Sequence, residues 1–329
     1  MKAIIRHGLL IALVAVSCSA VSISAFAQTN FPDKPIKTIS AYAAGGGPDV
    51  QLRQVSPYLG EALKQTIIVE NKVGAGGVLA TQFVAQSAPD GYTLLLGSNI
   101  QLVQKIMKPD LSINPLIDFA PVSNMYSSPT IMVVANDSPY KKVEDVINAA
   151  KANPGAMNYS SGGIGTSAHI AGATFVSLNN LKVTHIPLKG SVEIAASLLR
   201  NDTQFAFPIA GTGVPLVKGG KFRALAVTSK NRLAQLPEVP TLNEIMKNEL
   251  TIQESWFGIW APIKTPQDRI NILFQGITKA LSVPALKTAY EDAGNIITPS
   301  QSPQAFAAYM NSENKKWAEI IRLTGISGE

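Results

Sequence analysis

The sequence predicts an α/β protein of two lobes, and three observations carry that reading. Short β-like runs alternate with amphipathic helical patterns along almost the whole chain. Its 329 residues at 46% hydrophobic composition supply more than one ordinary core. Two glycine-rich corners of the same grammar, "AYAAGGGPDV" at 41–50 and "YSSGGIGTSAHIAG" at 159–172, each close a β-like run and open a helix. Alternation of this kind is met by sheets with helices on their faces, so each lobe is expected to be a mostly parallel sheet flanked by helices, with a hinge between lobes.

The chain begins with a leader. Lys2 and Arg6 are followed by the apolar run Leu9–Val16 and by the small-x-small triplet Ala25-Phe26-Ala27, the plan of a secretory signal peptide over residues 1–27, cleaved after Ala27. This predicts a periplasmic protein. Cys18 raises a lipoprotein variant, but Ala15-Val16-Ser17 makes a poor lipobox, so lipid anchoring is disfavoured. Cys18 is also the only cysteine, so the mature chain has no disulfide, thiolate nucleophile or cysteine metal site. The formal charge is +6, and loss of Lys2 and Arg6 leaves +4. Lys and Arg are scattered, and no basic run interleaved with aromatics suggests nucleic acid.

In order, "IKTISAYA", "TIIVEN", "YTLLLGS", "PTIMVVA", "MNYSS", "VTHIPL", "TQFAFPIA" and "FRALAVTS" read as strands. Leu52, Val55, Leu59 and Leu63 share a helical face, as do Ala171, Phe175 and Leu178. The C-terminal part is helical, with stripes at Ile270, Leu273, Phe274, Ile277 and Leu281 and at Phe306, Met310, Trp317 and Ile321. Segments 124–128 and 249–253 could carry the chain between lobes. Lobe 1 is therefore expected over 28–124 and 254–329, and lobe 2 over 125–253, two crossings making a hinge.

Each corner can hold an anion. The first turn of a helix leaves backbone N–H groups without partners and carries positive potential, and glycine lets a ligand approach that backbone closely. At the first corner the candidates are Ala44, Gly45, Gly46, Gly47 and Asp49, with Pro48 at the first helical position. The Asp49 carboxylate would repel an anion, so it is expected to fold back on local backbone donors. At the second corner the candidates are Ser161, Gly162, Gly163, Gly165, Thr166, Ser167 and His169. Hydroxyls and N–H groups together suit a carboxylate, whose two oxygens accept several bonds. A third glycine cluster, "NKVGAGGVLA" at 71–80, also opens a helix and is expected to serve close helix–strand packing. No GKS or GKT follows these loops, which disfavours a nucleotide P-loop. The run Gly165-Thr166-Ser167-Ala168-His169 resembles a GxSxG elbow without its last glycine, leaving an exported serine hydrolase using Ser167 as a rival. The mature histidines show no metal-ligand spacing, so no metal site and no cofactor are expected.

These motifs match a family. "FPDKPIKTI", "AAGGGPD", "VENKVGAGG", "APDGYTLLLGS", "DFAPVS", "AKANPGAMNYSSGGIGTSAHIAG", "VTHIPLKGS", "LVKGGKFRALAVTS", "LPEVPTLNE" and "SWFGIWAP" run from Phe31 to about Gly325. The chain resembles the Bug receptors, the extracytoplasmic solute-binding proteins of tripartite tricarboxylate transporters. That resemblance implies a type II-like periplasmic binding protein, a monomer that performs no chemistry, closes on an organic carboxylate and serves membrane permease subunits. It implies that the two corners pinch one carboxylate with water assisting, that Ser98 and Asn99 line the cleft from lobe 1, and that Lys189, Gly190 and Ser191 approach from lobe 2. Pro208, with Phe207 and Ile209, stands where members often carry a polar residue, which disfavours an amino-acid ligand. Pro48 replaces the usual Thr or Ser, and Pro57 is expected to kink the first helix. A sensory receptor docking on a signalling protein would use the same closed lobes.

Overall fold

A computed structural model describes residues 31–327; the expected signal peptide and Cys18 lie outside the described residues. The strands are β1 (Ile36–Ser40), β2 (Ile67–Asn71), β3 (Thr93–Ser98), β4 (Phe119–Pro129), β5 (Ile131–Ala135), β6 (Met157–Ser161), β7 (Val183–Pro187), β8 (Phe205–Ala206), β9 (Phe222–Val227), β10 (Glu254–Pro262) and β11 (Ile296–Ile297). The helices are α1 (Gly47–Leu63), α2 (Val78–Ala85), α3 (Asn99–Met107), α4 (Pro115–Asp118), α5 (Val143–Ala152) and α6 (Ser167–Leu178). They continue with α7 (Ser191–Leu199), α8 (Ala210–Lys218), α9 (Leu242–Met246), α10 (Gln267–Leu281), α11 (Pro284–Asp292) and α12 (Pro303–Thr324).

Two sheets result, in the orders β11-β4-β10-β3-β1-β2 and β7-β6-β8-β5-β9. The two-lobed α/β architecture is as expected, but the sheets are mixed rather than mostly parallel. In each lobe three strands are parallel, β3-β1-β2 and β8-β6-β7. The remaining pairings, β10 with β3 and β4, β11 with β4, and β5 with β8 and β9, are antiparallel. The physical reason is the double crossing: a chain that leaves a lobe and returns must run one way out and the other way back.

The crossings lie between β4 and β5 and between β9 and β10. Segment 124–128 is strand interior, with Asn124, Tyr126, Ser127 and Ser128 paired to β10. At the crossing itself the Thr130 amide donates to Thr228 Oγ1 (2.9 Å), the Thr228 amide to the Thr130 carbonyl (2.9 Å), and the Gln253 amide to the Thr228 carbonyl (2.8 Å). The two strands are thus tied to each other where they pass between sheets.

Each sheet buries its own core. One gathers Val133, Tyr159, Phe175, Phe205 and Phe207; the other gathers Ile39, Leu95, Phe119, Trp256, Trp260 and Phe306. A third cluster joins Val103 on α3, Ile170 on α6 and Trp317, Ile320 and Ile321 on α12, so the C-terminal helix packs against elements of both lobes. That helix starts sharply, with Ser302 Oγ accepting from the Ala305 amide (3.0 Å) and Pro303 in its first turn, and it ends at Gly325 with φ +66°. Helix α1 runs through Pro57 from Gly47 to Leu63. No helix among the described residues is long and apolar enough to cross a membrane.

Candidate functional site

Three consecutive strand–helix units in each lobe, β1-α1, β2-α2, β3-α3 and β6-α6, β7-α7, β8-α8, place the carboxyl ends of their parallel strands toward one crevice. That is where open α/β sheets bind ligands. The crevice is a cleft of about 580 Å3. Residues at or just before the first turn of all six helices line it: Gly46 and Pro48 for α1, Gly77 for α2, Ile100 for α3, Thr166 and Ser167 for α6, Gly190 and Ser191 for α7, and Pro208 and Ile209 for α8. Among the described residues no acid lies on the wall, and Lys189, which is exposed, is its one charged side chain. Six helix N-termini converge there. The first-turn acids of α1 and α7 are turned onto local amides, Asp49 onto Gly45 and Glu193 onto Lys189, and neither lines the wall, which leaves a site for an anion.

The corners divide their donors between structure and cleft. At the first, the Gly45 amide donates to Asp49 Oδ2 (2.9 Å), the Gly46 amide to the Ala43 carbonyl (3.0 Å), and the Gly47 amide to Thr212 Oγ1 in the other lobe (3.0 Å). Gly46 is on the cleft wall; Gly47 and Asp49 are buried behind it, and Ala44 and Gly45 are exposed to solvent outside it. The fully buried Asp49 carboxylate also accepts from Arg53 Nε (2.9 Å) and Asn71 Nδ2 (2.7 Å). Burial pushes its pKa up, but Arg53, Asn71 and the Gly45 amide outweigh this and hold it below the usual carboxylate range. Its charge is thereby spent on the corner, as expected.

The second corner braces itself. Thr166 Oγ1 donates to the Gly163 carbonyl (2.8 Å) and accepts from the His169 amide (3.3 Å), and the Gly163 amide donates to Ser161 Oγ (3.2 Å). Gly165, at φ +78°, donates its amide to His169 Nδ1 (3.0 Å). Gly162, Gly163, Thr166 and Ser167 are on the wall, whereas Ser161, Gly165 and His169 support it from behind. The first-turn amides of Ser167 and Ala168 have no intrahelical partner, and both residues line the cleft.

Of the outlying candidates, Lys189 and Pro208 are on the wall. Ser98 is buried instead as the cap of α3, accepting from the Ile100 amide (3.2 Å) and meeting the Tyr42 hydroxyl at 2.6 Å. Asn99 is buried too, its Nδ2 reaching Ser167 Oγ across the lobes at 3.4 Å. The third glycine cluster does more than pack: Gly74, Ala75, Gly76 and Gly77 form cleft wall, while a Cβ at Gly77 would lie 3.4 Å from Ala41 Cβ. The four carry positive φ in succession, including Ala75 at +47°, which the glycine spacing alone did not reveal. Sequence reasoning also missed Thr212 and Ser255, whose Oγ donates to Ser167 Oγ (2.5 Å), and the aromatic floor of Tyr42 and Phe257. Tyr42 lies two residues past the end of the first strand and could have been found from that position.

The histidines bear on the hydrolase reading. His169 and His185 stack with centroids 4.0 Å apart; His185 Nε2 meets Ser161 Oγ at 2.7 Å. Ser167 Oγ instead bonds to Ser255 and Asn99, neither of which is a base.

The profile of the tripartite tricarboxylate transporter family receptor matches residues 51–326. The chain belongs to that receptor family. It is 30% identical to protein BugT of Bordetella pertussis over 322 residues, 96% of this chain and 97% of BugT. The structure of periplasmic binding protein BugD is similar at TM-score 0.84 and 26% identity, covering 90% of this chain and 99% of that one. An R. palustris protein solved with adipate is similar at TM-score 0.85 and 25% identity, with coverage of 90% and 99%.

In this receptor the buried histidine pair predicts acid sensitivity. Burial lowers His169 from 6.5 to about 4, and burial together with the neighbouring His169 lowers His185 to about 3. Both folded values lie below the unfolded one, so below pH 6.5 the unfolded chain binds protons that the folded chain refuses. The pair's contribution is intact above that pH and is lost as pH falls, by at most about 1.4 kcal/mol per pH unit for each ring. The melting temperature is expected to fall steadily from about pH 7 to about pH 4.5. His185→Asn should make the decline shallower; a flat wild-type profile would show that the rings are not held neutral.

Proposed function

We propose that the protein captures an organic carboxylate in the periplasm by closing its lobes, and delivers it as a monomer to the membrane permease subunits of a tripartite transporter. The observation that carries this reading is the convergence of six helix N-termini on one cleft whose wall bears no acid. The adipate held by a similar protein is a carboxylate and supports it. The crossings tied at Thr130, Thr228 and Gln253 serve as the hinge. Two or three charge-assisted hydrogen bonds of ~1.5–3 kcal/mol each support roughly micromolar affinity once ordering costs are met. Closure removes water from the cleft and strengthens those bonds.

A thermal-shift screen of the mature protein against a carboxylate panel tests this. A binder present at about 100 times its Kd should stabilise the fold by ~2.7 kcal/mol. A panel without any stabilising carboxylate would defeat the proposal. Ester hydrolysis is expected to be absent in the wild type, and Ser167→Ala should change affinity rather than turnover, because its hydroxyl joins the lobes through Ser255 and Asn99. A wild-type esterase activity abolished by Ser167→Ala would favour the hydrolase.

A further inference from the structure

We infer that the ligand is a monocarboxylate with an apolar body, ring-sized or a short alkyl chain. This rests on the carboxylate capture proposed above and specifies the rest of the molecule. Away from the glycine corners the wall is built from Val73, Ile100, Leu188, Ile194, Ile209 and Phe257. The wall hydroxyls away from the helix ends are already committed. Tyr42 is bonded to Ser98 and Thr166 donates to Gly163, while Ser167 accepts from Ser255 and Asn99, which leaves its own proton beside the bare first-turn amides of α6, where the first carboxylate is held. The Gly74–Gly77 turn also spends donors internally, the Gly77 amide on the Gly74 carbonyl and the Val78 amide on that of Ala75. Lys189 is exposed, so it holds no desolvated second charge.

The apolar wall is also fixed in place. Tyr42 and Phe257 meet edge to face at 5.6 Å, and Phe257 stacks on Tyr126 at 4.7 Å. Ile209 Cδ1 lies 3.0 Å from the point where a Cβ on Gly47 would stand, so the lobe contact holds it. A second carboxylate laid against these side chains would give up its water with no donor in return, and an ammonium would find no acid. A cleft of about 580 Å3 leaves ample room beyond one carboxylate for an apolar body.

Matched pairs isolate the second charge. Calorimetric titration of the mature protein with hexanoate against adipate, and benzoate against terephthalate, is expected to show the monoacid binding at least about tenfold tighter in a pair. Ile209→Asn, checked for an intact fold by its melting curve, should weaken hexanoate about tenfold and adipate far less. Adipate or terephthalate binding as tightly as its partner would overturn this inference and leave carboxylate capture standing. An unchanged hexanoate-to-adipate ratio in Ile209→Asn would also overturn it, because the wall would not be the selector. If hexylamine or hexan-1-ol binds while none of the acids does, or if nothing binds, both readings fall.

Discussion

Gly47→Val should weaken carboxylate binding by at least about 100-fold, or ~2.7 kcal/mol, while the unliganded melting temperature stays nearly unchanged. A Cβ at Gly47 would stand 2.7 Å from Thr212 Oγ1, 3.0 Å from Ile209 Cδ1 and 3.3 Å from the Gly211 carbonyl carbon. The threonine can turn away, but only by losing the hydrogen bond it accepts from Gly47. The backbone of Gly211, in the first turn of α8, has no such freedom. Valine therefore wedges α1 from α8 and, on the proposed closure, penalises the closed lobes selectively, because lobes parted at this contact would not meet the added side chain. Titration with the strongest binder of the panel, together with ligand-induced compaction in small-angle scattering, measures both effects. Wild-type affinity in this variant would mean that the Gly47–Thr212 contact does not limit closure.

Glu313→Leu should lower stability by roughly 2–5 kcal/mol without altering the cleft. Glu313 is 6% exposed, and its Oε2 accepts from Trp256 Nε1 (3.1 Å) on β10 and Trp317 Nε1 (3.0 Å) on α12. Both indoles are fully buried, so a leucine leaves two N–H groups facing protein with no acceptor. Trp317 also belongs to the cluster joining α3, α6 and α12, so the loss loosens the helix that packs against both lobes. Glu313→Gln keeps an acceptor and should cost less than the leucine variant. Urea unfolding of the unliganded protein reads these differences, and equal losses in the two variants would show that charge, not the shared acceptor, is what matters.

Eight strands of the fold were legible because their apolar runs are local. "YTLLLGS" became β3 and "PTIMVVA" became β5. β8 shrank to Phe205–Ala206, since Pro208 has no amide to continue a ladder. β4 escaped because Ser123, Asn124, Ser127 and Ser128 look like linker residues, yet all are buried. Their partners are distant: Asn124 Nδ2 donates to the Thr298 carbonyl and hydroxyl at 3.1 and 2.8 Å. A polar strand whose hydrogen bonds are supplied from 174 residues away has no local signature.

The candidate site divides in the same way. Glycine and proline declare backbone geometry where they stand, so "GGGPD" and "SSGGIGTSAH" marked both corners, and the Asp49 charge could be assigned to local donors. The sequence alone thereby determined the α/β class, the receptor family and the two places where helix ends are bare. Tertiary structure decided which donors face the cleft. The Gly47 amide is consumed by Thr212, 165 residues further on, whereas Ser167 Oγ accepts from Ser255, 88 residues on, and keeps its own proton. It also turned the Gly74–Gly77 loop into cleft wall and set Ile209 and Phe257 beside it. A donor is available only if no acceptor occupies it, and those acceptors come from chain segments that meet only when the two sheets are assembled.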